Sequence, residues 1–179
     1  TLDVSIFSPA EGDEIILCLN YDGLYGINNI NRFLQESNSS VPVSWGIQQY
    51  KVNDPILFNE SDRFAPLIYN NMKGRIVGIE ILDSGKLNER IQFDIELDKV
   101  INGVDAFGHD FELLENLESG NSVIRFCVNK LKNTDEDDDY SSKAVVPFQV
   151  AYAVSIHKAQ GLEYNSVKIV ITDEVEELI

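Results

Sequence analysis

The sequence predicts an α/β domain that is built from both ends of the chain, with a β-rich module inserted between them. Three observations predict this fold class. A strand-like run at residues 14–20 leads into an amphipathic helix, a second apolar run lies at 166–172, and short β-like runs fill the middle. The expected divisions are 1–41 and 145–179 for the α/β domain, 42–131 for a small inserted β-barrel, and 132–144 for an acidic flexible loop.

The N-terminal run EIILCLN is bounded by EGD and DG, which is typical of a buried strand between two turns. The segment after it, GINNINRFLQESNSS, is expected to be a helix, because its apolar residues recur at offsets of three, six and seven and share one face. These residues are Ile27, Ile30, Phe33 and Leu34. The Ser-rich end of the segment and Pro42 are expected to end the helix.

The middle of the chain alternates short β-like runs with turns. The runs are VPVSWGIQQYKV, DPILFNE, GRIVGIEIL, RIQFDIEL, KVING and AFGHDFELL, and SVIRFCVNKL follows as a further strand candidate. Turn signals at 83–85 (DSG) and 102–103 (NG) separate some of them. This pattern predicts a small barrel or a curled antiparallel sheet. Trp45, Tyr50 and Phe58 are expected to pack in its core rather than to stack on bases.

Acidic residues dominate the charge of the chain. Its formal net charge is −16, with 14 Lys and Arg against 30 Asp and Glu, which argues against a nucleic-acid surface spread over the whole chain. The run DEDDD lies in KNTDEDDDYSSK (132–143), which is typical of a solvated loop. A calcium loop is the alternative there, although the spacing lacks the central Gly and distal Glu of an EF-hand.

The C-terminal part is expected to return to the α/β pattern. Pro147 is expected to start a helix through Gln160, with Gly161 as its C-terminal cap. The run SVKIVIT (166–172) has the continuous apolar centre of a strand in a parallel sheet that is covered on both faces. Cys18 and Cys127 lie in strand-like runs and are expected to be buried free thiols rather than a disulfide.

The sequence shows neither a membrane span nor a secretory signal peptide. No apolar run reaches the roughly 18 residues of a membrane span, and no basic start precedes an apolar signal core, so a cytoplasmic location with no membrane partner is expected. Because the first residue is Thr1 rather than methionine, the chain is expected to be a piece of a longer protein.

One segment near the end of the chain carries the chemistry. AYAVSIHKAQGLEYNSVKIVI (151–171) resembles motif V of superfamily 1 DNA helicases, most closely the RecD-like and Pif1-like branch. GLYGINNINRFLQ (23–35) resembles the segment that opens the second RecA-like domain of those enzymes, and residues 50–80 resemble the start of their inserted SH3-like barrel. The resemblance implies a partial RecA-like (P-loop NTPase helicase) domain with an inserted SH3-like barrel, ending after motif V.

The resemblance also implies roles for individual residues. Ser155, His157 and Lys158 match the positions that contact single-stranded DNA, where a hydroxyl, an imidazole and a compact cation suit a phosphodiester. On the ATP side the matching residues are Gln160, Gly161 and Glu163. Taken singly, each residue also has an ordinary structural explanation, such as a back-bonded serine, a solvated charge or a helix cap. Asn28 and Asn31 are expected to brace the helix.

The chain also departs from the family pattern. The usual Pro-x-Arg/Lys step before the first glycine is replaced by Leu19-Asn20-Tyr21-Asp22, which offers no cation to a phosphate. The sequence contains no phosphate loop, no strand-borne Asp-Glu pair for Mg²⁺ and no arginine-bearing motif VI after residue 171. The fragment alone is therefore expected to be inactive, with no complete catalytic set, no metal site and no bound cofactor.

Two functions from different classes remain open. The first is an ATP-dependent DNA helicase that, at full length, uses ATP and Mg²⁺ and has as partners single-stranded DNA and the first RecA-like domain of the same chain. The alternative is an acidic, non-catalytic protein-interaction module with a decayed helicase motif, which the net charge of −16 favours.

Overall fold

The structure is a computed structural model that describes residues 13–59, 62–131 and 143–171. In chain order its elements are β1 (Glu14–Cys18), α1 (Ile27–Ser37), β2 (Val43–Trp45), β3 (Gln48–Tyr50), β4 (Pro55–Phe58), β5 (Lys73–Leu82), β6 (Arg90–Leu97), α2 (Gly103–Ala106), β7 (Glu112–Asn116), β8 (Ser122–Asn129), β9 (Phe148–Val150), β10 (Ala153–Ser155), α3 (Ile156–Ala159) and β11 (Ser166–Val170). Most of the predicted acidic loop, including the alternative calcium loop, lies outside the described residues.

The chain divides into two compact units. Residues 1–39 and 150–179 form the first, which we call the α/β unit, and residues 40–149 form the second, which we call the β unit. In the described part of the α/β unit, three parallel strands pair in the order β10-β1-β11. Neighbouring parallel strands need long crossover connections, and the connection from β1 to β10 contains α1 and the β unit. The connection from β10 to β11, on the other side of β1, contains the short helix α3.

Helix α1 forms where the apolar periodicity predicts it. Ile27, Ile30 and Leu34 are buried, and they pack with Ile16 and Cys18 of β1 in one core cluster. Phe33 is partly buried against the same cluster, so the predicted apolar face is the face that meets the sheet. The helix ends at Ser37, before Pro42, as expected.

The predicted helix from Pro147 to Gln160 is wrong. Residues Phe148–Val150 and Ala153–Ser155 are strands, and helix occurs only over Ile156–Ala159. A short, fully apolar run fits a buried strand as well as a buried helix, so periodicity alone cannot separate the two. Tertiary pairing decides between strand and helix here, because β10 pairs in parallel with Ile16–Cys18 of β1.

Strand β11 joins the parallel sheet as predicted, but one of its two faces is exposed rather than covered. Val167 and Ile169 are 48% and 58% exposed within the described residues. Its register on β1 is fixed by Glu14, whose carboxylate accepts a hydrogen bond from the Ser166 hydroxyl at 2.6 Å and pairs with Lys168 Nζ at 2.8 Å. One face of this strand therefore exposes Val167 and Ile169, and the other carries Ser166, Lys168 and Val170, of which Val170 packs against the core cluster.

The β unit contains an antiparallel hairpin, β2–β3, and a six-stranded sheet in the order β7-β8-β6-β5-β4-β9. Its core is aromatic: Tyr50, Phe58, Phe64, Phe93, Phe126 and Phe148 are buried and meet mostly edge to face. Core packing is thus confirmed for Tyr50 and Phe58. The antiparallel sheet is as predicted, but among the described residues it is an open sheet with β7 and β9 at its edges, so the SH3-like barrel stays a prediction.

Both cysteines are free, with Cys18 buried and Cys127 partly buried. Burial raises the pKa of the Cys18 thiol from its ordinary 9.0 to about 11. Across the described ranges, none of the helices has the length and apolar character to cross a membrane.

Candidate functional site

The predicted site residues lie at the carboxyl edge of the three-stranded parallel sheet. Cys18, the last residue of β1, is the register partner of Ser155, the last residue of β10. The chain therefore leaves these two neighbouring strands at the same edge, β1 into the loop 19–26 and β10 into α3. Open α/β sheets bind their ligands at this edge, beyond the carboxyl ends of the strands.

Ser155 forms the N-cap of α3. Its extended backbone (φ −72°, ψ 155°) ends β10, and its hydroxyl oxygen accepts a hydrogen bond from the backbone N–H of Lys158 at 3.1 Å. The residue is only 9% exposed. Since a serine hydroxyl carries one proton as well as its acceptor lone pairs, the cap leaves that proton for a second partner. The structural and the DNA-binding interpretations of Ser155 are therefore compatible.

His157 and Lys158 follow directly on α3. His157 is exposed, whereas Lys158 is partly buried. Burial lowers the pKa of the Lys158 ammonium below its ordinary 10.5, because a low-dielectric environment disfavours the charged form. An anion beside this amine would favour the charged form again.

The three residues assigned to the ATP side lie on the turn that follows α3. Gln160, Gly161 and Glu163 are all exposed. The backbone N–H of Gln160 donates to the His157 carbonyl at 3.4 Å, and Gly161 then adopts φ +80°, a left-handed conformation that glycine takes without a steric penalty. All six predicted residues thus belong to one strand–helix–turn segment.

Asn31 has a role in this site that the sequence did not reveal. Its side-chain Nδ2 donates to the Ala153 carbonyl at 2.8 Å, and its Oδ1 accepts from the Ala153 backbone N–H at 2.9 Å. The amide therefore pairs with β10 as a neighbouring strand would, two residues before Ser155. The sequence signal was the last Asn of GINNIN, but its partner is 122 residues away and no local pattern points to it.

The loop between β1 and α1 is tied to the start of the helix. Three backbone N–H groups, those of Gly26, Ile27 and Asn28, donate to the carbonyls of Gly23, Asn20 and Tyr21 at 3.0 to 3.1 Å. These donors are therefore not available to an anion. The same loop also lacks a cationic residue for an anion, since its sequence is Leu19-Asn20-Tyr21-Asp22.

A metal site is not formed by the residues that the structure describes. Within them, no group of three His, Cys, Asp or Glu side chains is placed to hold a metal ion. The sequence also lacks a phosphate loop. Among the described residues, therefore, no set of side chains is arranged as ligands of Mg²⁺.

Comparisons with known proteins give a structural similarity among solved structures. No protein-family model matches the chain, and no curated protein matches it. Among solved structures, it is similar to a crystal structure of Pif1 helicase from Bacteroides in complex with ADP-AlF3 and ssDNA, with a TM-score of 0.42 and 15% sequence identity. The match covers 96% of this chain and 37% of that chain.

Proposed function

We propose that this chain is part of an ATP-dependent DNA helicase of superfamily 1, in the RecD-like and Pif1-like branch. In this proposal residues 1–41 and 145–179 form part of the second RecA-like domain, 42–131 form the inserted SH3-like barrel, and 132–144 form an acidic loop. The domain contributes contacts to single-stranded DNA and one side of the ATP cleft. The other side belongs to the first RecA-like domain of the full-length protein.

One observation carries the proposal. The segment from Ser155 to Glu163 leaves the carboxyl end of a parallel strand, next to the end of β1, and its residues combine a hydroxyl, an imidazole and an ammonium group within four positions. A strand with this ending in a parallel sheet is where α/β proteins bind ligands. The same segment carries the sequence resemblance to motif V.

The residues have distinct tasks in the proposed contact. The Ser155 hydroxyl, fixed by its cap bond, donates its proton to a phosphate oxygen, and the Lys158 ammonium neutralises the phosphate charge. His157 donates to a phosphate or stacks on a sugar or base. Gln160, Gly161 and Glu163 face the nucleotide. In the full enzyme, hydrolysis of ATP with Mg²⁺ as its cofactor would supply the energy. The chain alone is expected not to hydrolyse ATP because it has no phosphate loop.

A salt titration of oligothymidine binding by the chain tests the proposal. Affinity is expected to fall as salt rises, because each neutralised phosphate releases counterions. Lys158→Ala should weaken binding and reduce the slope of log K against log salt by about 0.7, the value for one single-strand phosphate contact. His157→Ala should weaken binding as well. Lys86→Ala is the matched control, since Lys86 is an exposed lysine of the β unit paired with Asp83.

The alternative is an acidic protein-interaction module without a nucleic-acid role. The net charge of −16 favours it, because an acidic chain repels the phosphate backbone. The same titration separates the two functions. Absence of oligothymidine binding at low salt, with a correctly folded protein, would contradict the helicase proposal and leave the interaction module.

A further inference from the structure

A cleft of about 450 Å³ lies in the β unit and is lined in part by strands β6 and β8. Clefts of roughly 300 to 1,000 Å³ are the size of small-molecule sites. The charged side chains that line this one are four cations and two acids: Arg63, Arg90, Arg125, Lys143, Asp110 and Glu112. Because the whole chain has a net charge of −16, an excess of cations in one cleft indicates an anionic ligand.

Four of the lining side chains come from one face of two neighbouring strands. Arg90 and Gln92 of β6 are the register partners of Asn129 and Cys127 of β8, respectively. Alternate residues of a strand point to the same face, and opposite residues on paired strands have Cβ atoms about 4.5 to 5.5 Å apart. The strands therefore place a guanidinium, two amides and a thiol side by side. The residues that alternate with them are buried in the core: Ile91, Phe93, Phe126 and Val128.

One wall of the cleft is fixed by Arg63, whose side chain is only 7% exposed. Its Nε donates to Asp110 Oδ2 at 2.8 Å, and its Nη2 donates to the Cys127 carbonyl at 2.6 Å. Its guanidinium carbon also lies 4.8 Å from the centre of the Phe64 ring. Since the Arg63 cation offsets the charge of Asp110, this wall carries no net negative charge.

The arginines of the cleft differ in how far the protein already occupies them. Arg125 holds Asp94 through Nε and Nη2, both at 2.7 Å, and Arg63 holds Asp110. Arg90 is exposed, and among the described residues its side chain forms neither a hydrogen bond nor an ion pair. The N–H donors of the Arg90 guanidinium are therefore available to a ligand.

The charge and size of the site favour a compact phosphate group. A phosphate monoester carries a charge of about −1.5 to −2 at pH 7, which matches Arg90 together with Lys143. A guanidinium binds two phosphate oxygens at once, and the amides of Gln92 and Asn129 are further donors. The acidic chain repels a long polyanion at every charge, whereas a small dianion meets this repulsion only twice.

We propose that this cleft binds a small phosphate monoester, with Arg90 and Lys143 as the cations that contact its phosphate. The stacked rings of His109 and Phe111, whose centroids lie 5.6 Å apart, line the same cleft and offer a surface to the organic part of the ligand. This site belongs to the β unit. It does not depend on the proposed function, which rests on residues of the α/β unit.

The experiment is calorimetric titration of the chain with three probes: phenyl phosphate, its diester methyl phenyl phosphate, and phenol. We expect phenyl phosphate to bind most tightly and phenol not to bind. Arg90→Ala should weaken phenyl phosphate binding about tenfold or more, the effect of losing a charge-assisted contact. Arg90→Lys keeps the charge but loses the fork and should bind with intermediate affinity. Arg32→Ala, which removes an exposed arginine of the α/β unit, is the control for net charge.

Three results would overturn the inference. Phenol that binds as tightly as phenyl phosphate would show that the phosphate contributes nothing. Equal affinity for the diester and the monoester would exclude a monoester site, and Arg90-dependent binding of oligothymidine would then identify a nucleic-acid contact instead. Absence of phenyl phosphate binding at millimolar concentration is the third result.

Amide chemical-shift mapping with phenyl phosphate separates this inference from the proposed function. We expect shifts at residues 90–92 and 127–129 and unchanged affinity in Lys158→Ala. Shifts confined to residues 155–158, with affinity lost in Lys158→Ala, would place the phosphate at the sheet edge and overturn the inference. If Lys158→Ala and His157→Ala bind oligothymidine as the wild type does, the proposed function fails while the cleft stands. Thermal unfolding of Arg90→Ala shows whether its loss of binding reflects a loss of fold, and the mapping on the wild type tests the site in either case.

Discussion

Asn31 links the two ends of the chain through its side chain. Its side-chain amide pairs with both backbone groups of Ala153, a residue with no exposed surface. Buried backbone groups must find partners. The amide supplies these partners on the side of β10 away from β1, and it thereby holds the strand that ends at Ser155.

Replacing Asn31 should therefore destabilise the α/β unit. Asn31→Ala leaves the N–H and carbonyl of Ala153 without that partner, and each buried unsatisfied group costs about 1 to 3 kcal/mol. We expect the free energy of unfolding to fall by about 2 to 4 kcal/mol, measured by urea denaturation. Asn28→Ala is the control, because the Asn28 amide is exposed and its bond to Asp22 is long, at 3.3 Å. Equal stability of the two variants would show that the pairing contributes little.

At the scale of elements, β10 and α3 decide what the site can do. The sequence predicted one helix here, and the structure has a strand, a cap and one helical turn. Ser155 connects them, since it is the last residue of the strand and the N-cap of the helix. Its two roles can be separated by substitution. As a cap the Ser155 oxygen accepts a hydrogen bond, and in the proposed contact the hydroxyl donates one to a phosphate.

Substitutions at Ser155 make this separation. Ser155→Ala removes the cap and should reduce stability by about 0.5 to 2 kcal/mol. Ser155→Asp keeps a capping oxygen but places a negative charge beside the phosphate. We expect it to be more stable than Ser155→Ala and yet to bind oligothymidine more weakly, and Ser155→Thr should retain both properties. The measurements are urea denaturation and fluorescence anisotropy. If Ser155→Asp binds oligothymidine with the same affinity as Ser155→Thr, no phosphate is bound at this position.

Elements that are determined by residues within their own segment were predictable from the sequence, and elements that are determined by distant residues were not. The helix α1 was predictable because Ile27, Ile30 and Leu34 mark one face within a single segment. Strands β5, β6 and β8 of the β unit were predictable from local runs and turns, whereas the predicted run KVING is not a strand and β9 lies in the segment predicted as helix. Strand β10 was not, because Ala153–Ser155 becomes a strand through its pairing with β1, which lies far away in the chain. The contact between Asn31 and Ala153 escaped prediction for the same reason.

At the scale of the whole molecule, the two units carry separate titratable groups in their cores. Cys18 is buried in the α/β unit, and Tyr50 is buried in the β unit. Burial raises the pKa of Cys18 from 9.0 to about 11 and the pKa of Tyr50 from 10.0 to about 12. In both cases the folded state holds its proton to higher pH than the unfolded state does.

Stability should therefore fall at alkaline pH in two stages. The contribution of Cys18 is complete below pH 9.0 and is lost as pH rises to about 11, and that of Tyr50 is lost between 10.0 and about 12. Each loss is about 2 to 3 kcal/mol at most. Urea denaturation at a series of pH values tests this. Cys18→Ala should remove the first stage and Tyr50→Phe the second, and unchanged pH profiles in both variants would contradict the assignment.

In the proposed function, the carboxyl edge of the three-stranded sheet binds single-stranded DNA. Amide chemical-shift mapping of the chain during titration with oligothymidine at low salt tests whether it does. We expect the largest shifts at Ser155–Lys158 and in the loop 19–26, which leave neighbouring strands at that edge. Shifts confined to residues 40–149, or none at saturating oligothymidine, would contradict the claim.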